Sequence, residues 1–248
     1  MAPYERALIT GASSGLGRAL ALWFAKRGTT VYAAARRADQ LESLKALAPD
    51  KIIPFVLDVA DADAAHDAVK QLDETCGGLD LVVANAGVGD EMKAEQIEWK
   101  RVRKVLDVNV LGATATLVGA LPGMVKRKKG HVVGISSLAA FLALPRFGAY
   151  NASKTYLTAW LENLRLDVEQ HGVNVTAIHP GFVTSEMTAK NRFSMPFLLE
   201  TDDAAALMGR AIEGKRSFFS YPWPTAFVVW LATSLPRPLQ RFIARRAT

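Results

Sequence analysis

Apolar residues along the first two hundred positions follow two alternating spacings. Short, near-continuous runs rich in β-branched and small side chains fall at 7–10, 30–34, 52–57, 79–84, 131–135 and 174–179. Runs of that length without polar alternation suit strands covered on both faces. Between them lie stretches of helical spacing at 15–27, 38–47, 62–75, 99–126 and 149–171. Strands alternating with helices predict βα units, and therefore a doubly wound α/β fold with a parallel sheet flanked by helices. Gly28, Gly77, Gly78, Gly130 and Gly172 each stand just past a helical stretch, where a left-handed C-terminal residue is expected. No repeat, low-complexity tract or Gly/Ser linker divides the 248 residues. The simplest partition is one domain over 1–203, with a C-terminal extension over 204–248 packed on it, on another subunit or on a membrane surface.

Composition narrows the partners. Half of the residues are hydrophobic and 22% are charged, enough to build a core and too apolar for bulk disorder. The net charge of +6 would ordinarily raise nucleic acid or an anionic membrane as a partner. Its distribution argues against the first. Residues 204–248 hold seven bases and one acid, whereas the preceding 203 residues balance. The main body has no basic field, and no nucleic acid is expected. The single cysteine, Cys76, makes no internal disulfide or cysteine zinc site, and the four histidines show no metal-ligand spacing, so no metal is expected. The first apolar run, at 7–9, is too short for a signal-peptide core, which leaves the cytoplasm as the expected location.

The chemistry begins at Thr10-Gly11-Ala12-Ser13-Ser14-Gly15-Leu16-Gly17, directly after the first strand and opening the first helix. A pyrophosphate needs backbone N–H donors at a helix N-terminus and no Cβ in its way, and this turn offers both. Gly11, Ser13, Ser14, Gly15, Leu16 and Gly17 are the candidate cofactor contacts. Further motifs follow: Asp58-Val59 after the third strand, Asn85-Ala86-Gly87 after the fourth, and Asn109 in the long helix. Ser137 lies thirteen residues before Tyr150, Tyr150 and Lys154 form a Tyr-x-x-x-Lys pair, and Pro180-Gly181-Phe182-Val183-Thr184 follows the sixth strand.

Together these motifs resemble the short-chain dehydrogenase/reductase family in its compact single-domain form, over about 175 residues. The resemblance implies a Rossmann-like fold and hydride exchange with a nicotinamide. It puts Asp58 and Val59 at the adenine, and Asn85, Ala86 and Gly87 along the cofactor cleft. Pro180, Gly181, Val183 and Thr184 fall beside the nicotinamide. It also implies a catalytic set of Asn109, Ser137, Tyr150 and Lys154, the last pair also touching the cofactor. In that set Ser137 hydrogen-bonds the substrate oxygen and Asn109 holds a water linking Lys154 to solvent. Ser136 is a rival for Ser137, and only the spacing favours the latter.

Tyr150 and Lys154, four apart in a predicted helix, project from one face. A nearby ammonium favours the phenolate, so Lys154 is expected to lower the Tyr150 pKa towards the range useful for proton exchange. The second strand ends in Ala33-Ala34-Ala35-Arg36-Arg37, with alanine where an NAD-binding acid would stand and Arg36 directly after it. A guanidinium suits a 2′-phosphate, so the expected cofactor is NADP(H). Phe141, Leu142, Leu144 and Phe147, with Met187, Phe193, Met195, Phe197 and Leu198 in the segment where the family has a lid, suggest a hydrophobic carbonyl or alcohol. The same side chains could instead pack among themselves or on a neighbouring subunit. The expected reaction is carbonyl–secondary alcohol interconversion. The rivals are a lipid or acyl-chain ketoreductase at a membrane and a non-catalytic NADP(H)-binding regulator, against which the intact four-residue set argues.

Residues 217–236 carry no charge, and 226–232 read as a helix apolar all round, which is expected to bury every face. Pro224 and Pro236 leave room for about 16 Å of helix, short of a ~30 Å bilayer core. Three readings stand: a subunit interface, a cover over the cleft, or a segment dipping into one leaflet. Trp223 and Trp230 with Arg237, Arg241, Arg245 and Arg246 resemble an interfacial anchor. Compact family members usually end in a short strand near a subunit interface, and this end departs from that pattern. A homodimer or homotetramer is expected, with peripheral membrane contact through the tail open.

Overall fold

The structure, a computed structural model, describes residues 4–190 and 195–246. In chain order the elements are β1 (Arg6–Thr10), α1 (Gly15–Ala25), β2 (Thr30–Ala35), α2 (Ala38–Lys45), β3 (Ile52–Val56), α3 (Ala62–Thr75) and β4 (Leu81–Ala84). They continue with α4 (Trp99–Leu106), α5 (Ala113–Arg127), β5 (Gly130–Ile135), α6 (Gly148–Val168), β6 (Val173–Pro180), α7 (Thr201–Glu213), β7 (Phe218–Tyr221), α8 (Trp223–Thr233) and α9 (Arg237–Arg246). The strands form one sheet in the order β3-β2-β1-β4-β5-β6-β7, every neighbouring pair parallel. The chain builds outward from β1 to β3, then crosses back to lay β4 against the other side of β1. That reversal opens a crevice beyond the carboxyl ends of β1 and β4, where such sheets hold ligands.

Both faces of the sheet are covered, which accounts for the uninterrupted apolar runs. On one side Leu20 and Phe24 of α1, Leu41 of α2 and Met208 of α7 pack over Ile9, Val31 and Val83. On the other, Val69 of α3, Leu117 of α5 and Leu161 of α6 pack over Leu8, Val82 and Val132. Each such side chain, fully buried, stabilises the fold by about 1.5–3 kcal/mol relative to exposure. The predicted α/β fold and the six predicted strands are present.

Four features differ from the sequence reading. Phe218–Tyr221 is a seventh strand paired with β6, so the chain end does carry a short terminal strand before its helices. The helix expected over 99–126 is interrupted by a π-helical turn at Asp107–Gly112. Gly130 is not the residue that ends α5. Lys128 takes the left-handed conformation there, at φ 52°, while Gly130 opens β5 with Met124 packed where its Cβ would be. Finally, α8 buries only Val229, and the expectation that it hides every face is wrong.

Helix α7 packs on α1 through a glycine: a Cβ at Gly209 would collide with the Trp23 indole, which is nearly buried there. Gly209→Ala should therefore lower the unfolding free energy by roughly 1–3 kcal/mol. Gly148, at the start of α6, has nothing within 4 Å of its Cβ position. Gly148→Ala should shift stability by less than about 0.5 kcal/mol. Urea denaturation of the two variants side by side checks the contrast.

Candidate active site

The glycine turn is shaped by what it touches. Gly11 and Gly15 have φ of +69° and +52°, which side chains rarely adopt. A Cβ at Gly11 would lie 2.8 Å from Ala86 Cα, and one at Gly17 would overlap the Asn85 amide. The turn is thus pressed onto the end of β4, and hydrogen bonds hold it there. Thr10 Oγ1 accepts from the Asn85 and Ala86 N–H groups, both at 3.1 Å, and Asn85 Nδ2 donates to the Thr10 carbonyl at 2.8 Å. Ser14 precedes α1 without capping it, so among the described residues no side chain takes up the first-turn N–H groups, which have no intrahelical acceptor.

A cleft of about 590 Å³ opens over this turn. It is lined by every cofactor residue expected from the sequence except Thr184. Free N–H donors at a helix N-terminus, with no Cβ in front of them, fit the pyrophosphate of a dinucleotide. Thr184 is exposed, and its N–H donates to the Leu199 carbonyl at 2.9 Å, which turns it away from the cleft. Ser185, Glu186, Met187 and Thr188 line the cleft instead. Of the apolar residues expected around a substrate, only Met187 lines it, and Phe193 falls outside the described residues.

At the β2 end the structure redistributes the two arginines. Arg36 lies 3.9 Å from Asp58, with both side chains largely exposed. Arg37 folds back over the glycine turn, where Nη2 donates to Ser14 Oγ at 2.8 Å and to Ser13 Oγ at 3.1 Å. Glu186 meets the same guanidinium at 3.4 Å from across the cleft. Sequence reasoning singled out Arg36, and Arg37 was visible only as the second of a basic pair. Its contact with Ser13 and Ser14 is a tertiary one that spacing does not reveal.

At the other end, α6 brings Tyr150 and Lys154 to the cleft one turn apart. Lys154 is nearly buried, and its Nζ donates to the Ile135 carbonyl at 2.8 Å, 5.8 Å from the centre of the Tyr150 ring. A Cβ at Gly87 would sit 3.4 Å from that nitrogen, so glycine leaves room for the lysine head. With no acid beside it, burial pulls the Lys154 pKa down to about 8. Burial raises the Tyr150 pKa above that of an ordinary phenol, and a hydrogen bond with Ser137 acts in the opposite direction. The lowering expected from Lys154 is absent, because its ammonium is directed at Ile135.

The two serines separate cleanly. Ser136 Oγ is turned inward, donating to the Lys154 carbonyl at 2.9 Å and sharing a hydrogen bond with Thr158. Ser137 is the serine that interacts with Tyr150. His179 is fully buried behind this layer, 3.1 Å from Thr158 Oγ1, and does not line the cleft.

Asn109 does not line the cleft either. It sits fully buried in the π turn, with Oδ1 accepting from Val88 N–H at 2.8 Å. Its Nδ2 donates to the Val88 carbonyl at 2.9 Å and to Ser153 Oγ at 3.0 Å. Both amide hydrogens are thereby used. The side chain clamps the loop after β4 to α6, next to Lys154.

A sequence profile of the family described as short chain dehydrogenase matches residues 5–195. This chain belongs to the short-chain dehydrogenase/reductase family. It is 52% identical over 246 residues to an uncharacterized oxidoreductase of Myxococcus xanthus, covering 98% of this chain and 97% of that protein. The crystal structure of a short-chain dehydrogenase from Streptomyces avermitilis superposes with a TM-score of 0.82 at 28% identity, over 92% of this chain and 90% of that one. A short-chain dehydrogenase from Sphingobium yanoikuyae, in complex with NADPH, shares the fold with a TM-score of 0.80 at 21% identity, over 94% and 96% of the two chains. The protein is accordingly an oxidoreductase of a family that binds nicotinamide dinucleotides, and the cleft over the glycine turn fits that cofactor class.

The clamp rests on one side chain. Asn109→Ala removes three hydrogen bonds and leaves the Val88 groups without their partner. Urea or thermal denaturation should show a loss of about 2–4 kcal/mol.

Proposed function

We propose that the protein interconverts a carbonyl and a secondary alcohol of a small molecule with NADP(H), and that Tyr150 is the proton donor and acceptor. The observation that carries this reading is the meeting of Tyr150 and Ser137 in the same cleft as the glycine turn. Gly11, the first-turn N–H groups of α1 and Asn85–Gly87 would hold the dinucleotide, which supplies the hydride when bound. Ser137 Oγ orients a substrate oxygen by hydrogen bonding. The Tyr150 hydroxyl gives its proton to that oxygen during reduction and recovers it from the alcohol in reverse. The Lys154 ammonium, directed at the Ile135 carbonyl, lines the same cleft and would contact the bound cofactor. Asn109 positions Lys154 indirectly, by fixing Val88 and Ser153 around it.

The preference for NADP(H) rests on charge at the β2 end. Alanine occupies position 35, where an acid would hold the ribose hydroxyls, and two guanidiniums line the cleft next to it. Arg37 is the better placed, because Ser13 and Ser14 already hold it over the turn. The NADPH complex of the Sphingobium enzyme agrees with this reading without deciding it.

Two measurements test the proposal. NADPH should be consumed with a kcat/KM at least about tenfold above that for NADH, and Arg37→Ala should raise the KM for NADPH roughly tenfold or more while leaving NADH little changed. An equal or greater preference for NADH contradicts the assignment. The second is the pH profile, because kcat/KM reports groups titrating in the free enzyme. Tyr150 is raised by burial and keeps its proton through neutral pH, so the first charge lost as pH rises is the Lys154 ammonium, at about 8. Reductive kcat/KM should be level below that pH and fall as pH rises through it.

A further inference from the structure

Helix α8 leaves a broad apolar face uncovered. Trp223, Phe227 and Trp230 stand at i, i+4 and i+7 and so share one side, with Val228 and Leu231 beside them. All five are more than half exposed, from 51% for Leu231 to 77% for Trp223. The Phe227 and Trp230 rings stack at 5.8 Å, which makes the face continuous. Past Ser234 the chain enters α9, where Arg237 and Arg241 are exposed and form no ion pair with any described residue. Residues 217–248 contain four arginines and no acid; the side chains of Arg245 and Arg246 lie outside the described residues.

Exposed apolar patches of this kind mark interaction surfaces, and charge selects the occupant. No residue of α8 lines the cleft, so the helix is not its cover. A second copy docked by a twofold axis would place the arginines of both copies around one apolar patch, with no carboxylate from either segment to neutralise them. An anionic bilayer offers both complements at once: an apolar interior for the aromatic rings and phosphates for the guanidiniums. Eleven residues span about 16 Å, half of a ~30 Å hydrocarbon core, so the helix is the right length to lie along the interface and too short to cross. The longer apolar stretch Trp99–Arg127 is half buried in the domain and belongs to the α/β core.

We propose that α8 and α9 bind the surface of an anionic lipid bilayer. Trp223, Phe227 and Trp230 enter the headgroup–acyl boundary, and Arg237 and Arg241 contact lipid phosphates. Helix α8 packs on β7 and on the turn at 138–141 that directly follows Ser137. A bilayer bound there lies near the segment that carries Ser137. Binding itself does not depend on the reaction proposed above.

Flotation of the full chain with lipid vesicles tests the proposal. Vesicles of equal parts phosphatidylglycerol and phosphatidylcholine should carry the protein upward at low salt and release most of it at high salt, while pure phosphatidylcholine should carry little. Trp223→Ser with Trp230→Ser should weaken binding about tenfold or more. Arg237→Gln with Arg241→Gln should weaken it roughly thirtyfold. All four side chains are exposed, so both double variants should keep the wild-type melting temperature. Three results would overturn the idea. One is an absence of flotation with anionic vesicles, and another is flotation unchanged in both double variants. The third is a sedimentation shift to a smaller oligomer in the tryptophan double variant, which would make the face a subunit contact.

Discussion

The site depends first on how closely the turn after β1 can approach the end of β4. Gly11 and Gly17 permit that approach because any Cβ there would strike Asn85 or Ala86. Thr10 and Asn85 then fasten it with three hydrogen bonds. From β4 the chain runs to Val88, which Asn109 grips by both its N–H and its carbonyl. Asn109 also holds Ser153, the neighbour of Lys154 on α6. One line of contacts therefore joins the glycine-turn end of the cleft to the end that holds Tyr150 and Lys154. Each hydrogen bond contributes only about 1 kcal/mol net, but breaking one strands a buried polar group at a larger cost, so the line behaves as a unit.

The electrostatics at the end of that line are costly to the fold. A lysine whose pKa falls from about 10.5 when unfolded to about 8 in the native state contributes its full stability only above the upper value. As pH falls through this window the folded state loses on the order of 3 kcal/mol relative to the unfolded chain, and the deficit persists below about 8. Groups held against their own solvation collect where chemistry needs them. The Ile135 carbonyl and the space left by Gly87 make Lys154 tolerable there without an acid that would quench its charge.

Most of the fold was legible in the sequence because strands covered on both faces leave unbroken apolar runs, and the glycine turn is a local device with a local signature. The Tyr150–Lys154 pair was legible for the same reason, since helical spacing alone puts the two on one face. What escaped was tertiary. Arg37 reaches the turn because β2 ends beside it in space, Asn109 is consumed by a residue 21 positions away, and Thr184 is drawn off by Leu199. Strand β7 hid inside an uncharged tail because four residues carry too little pattern to separate strand from helix. The exposure of α8 could not be read at all, since an apolar helix reads the same whether a neighbour covers it or not.

Those tertiary contacts give the chain's charge a simple layout. A body of zero net charge over residues 1–203 carries the basic excess in α7, the loop that follows it and α9. The central claim, that Tyr150 moves the proton in an NADP(H)-dependent carbonyl–alcohol exchange, is tested most directly by comparing the wild type with Tyr150→Phe across a panel of ketones and aldehydes. NADPH consumption and NADPH affinity should be read on the same samples. Turnover should fall by on the order of a hundredfold to ten-thousandfold in the variant with affinity nearly unchanged. Turnover undiminished in the phenylalanine variant would contradict that claim.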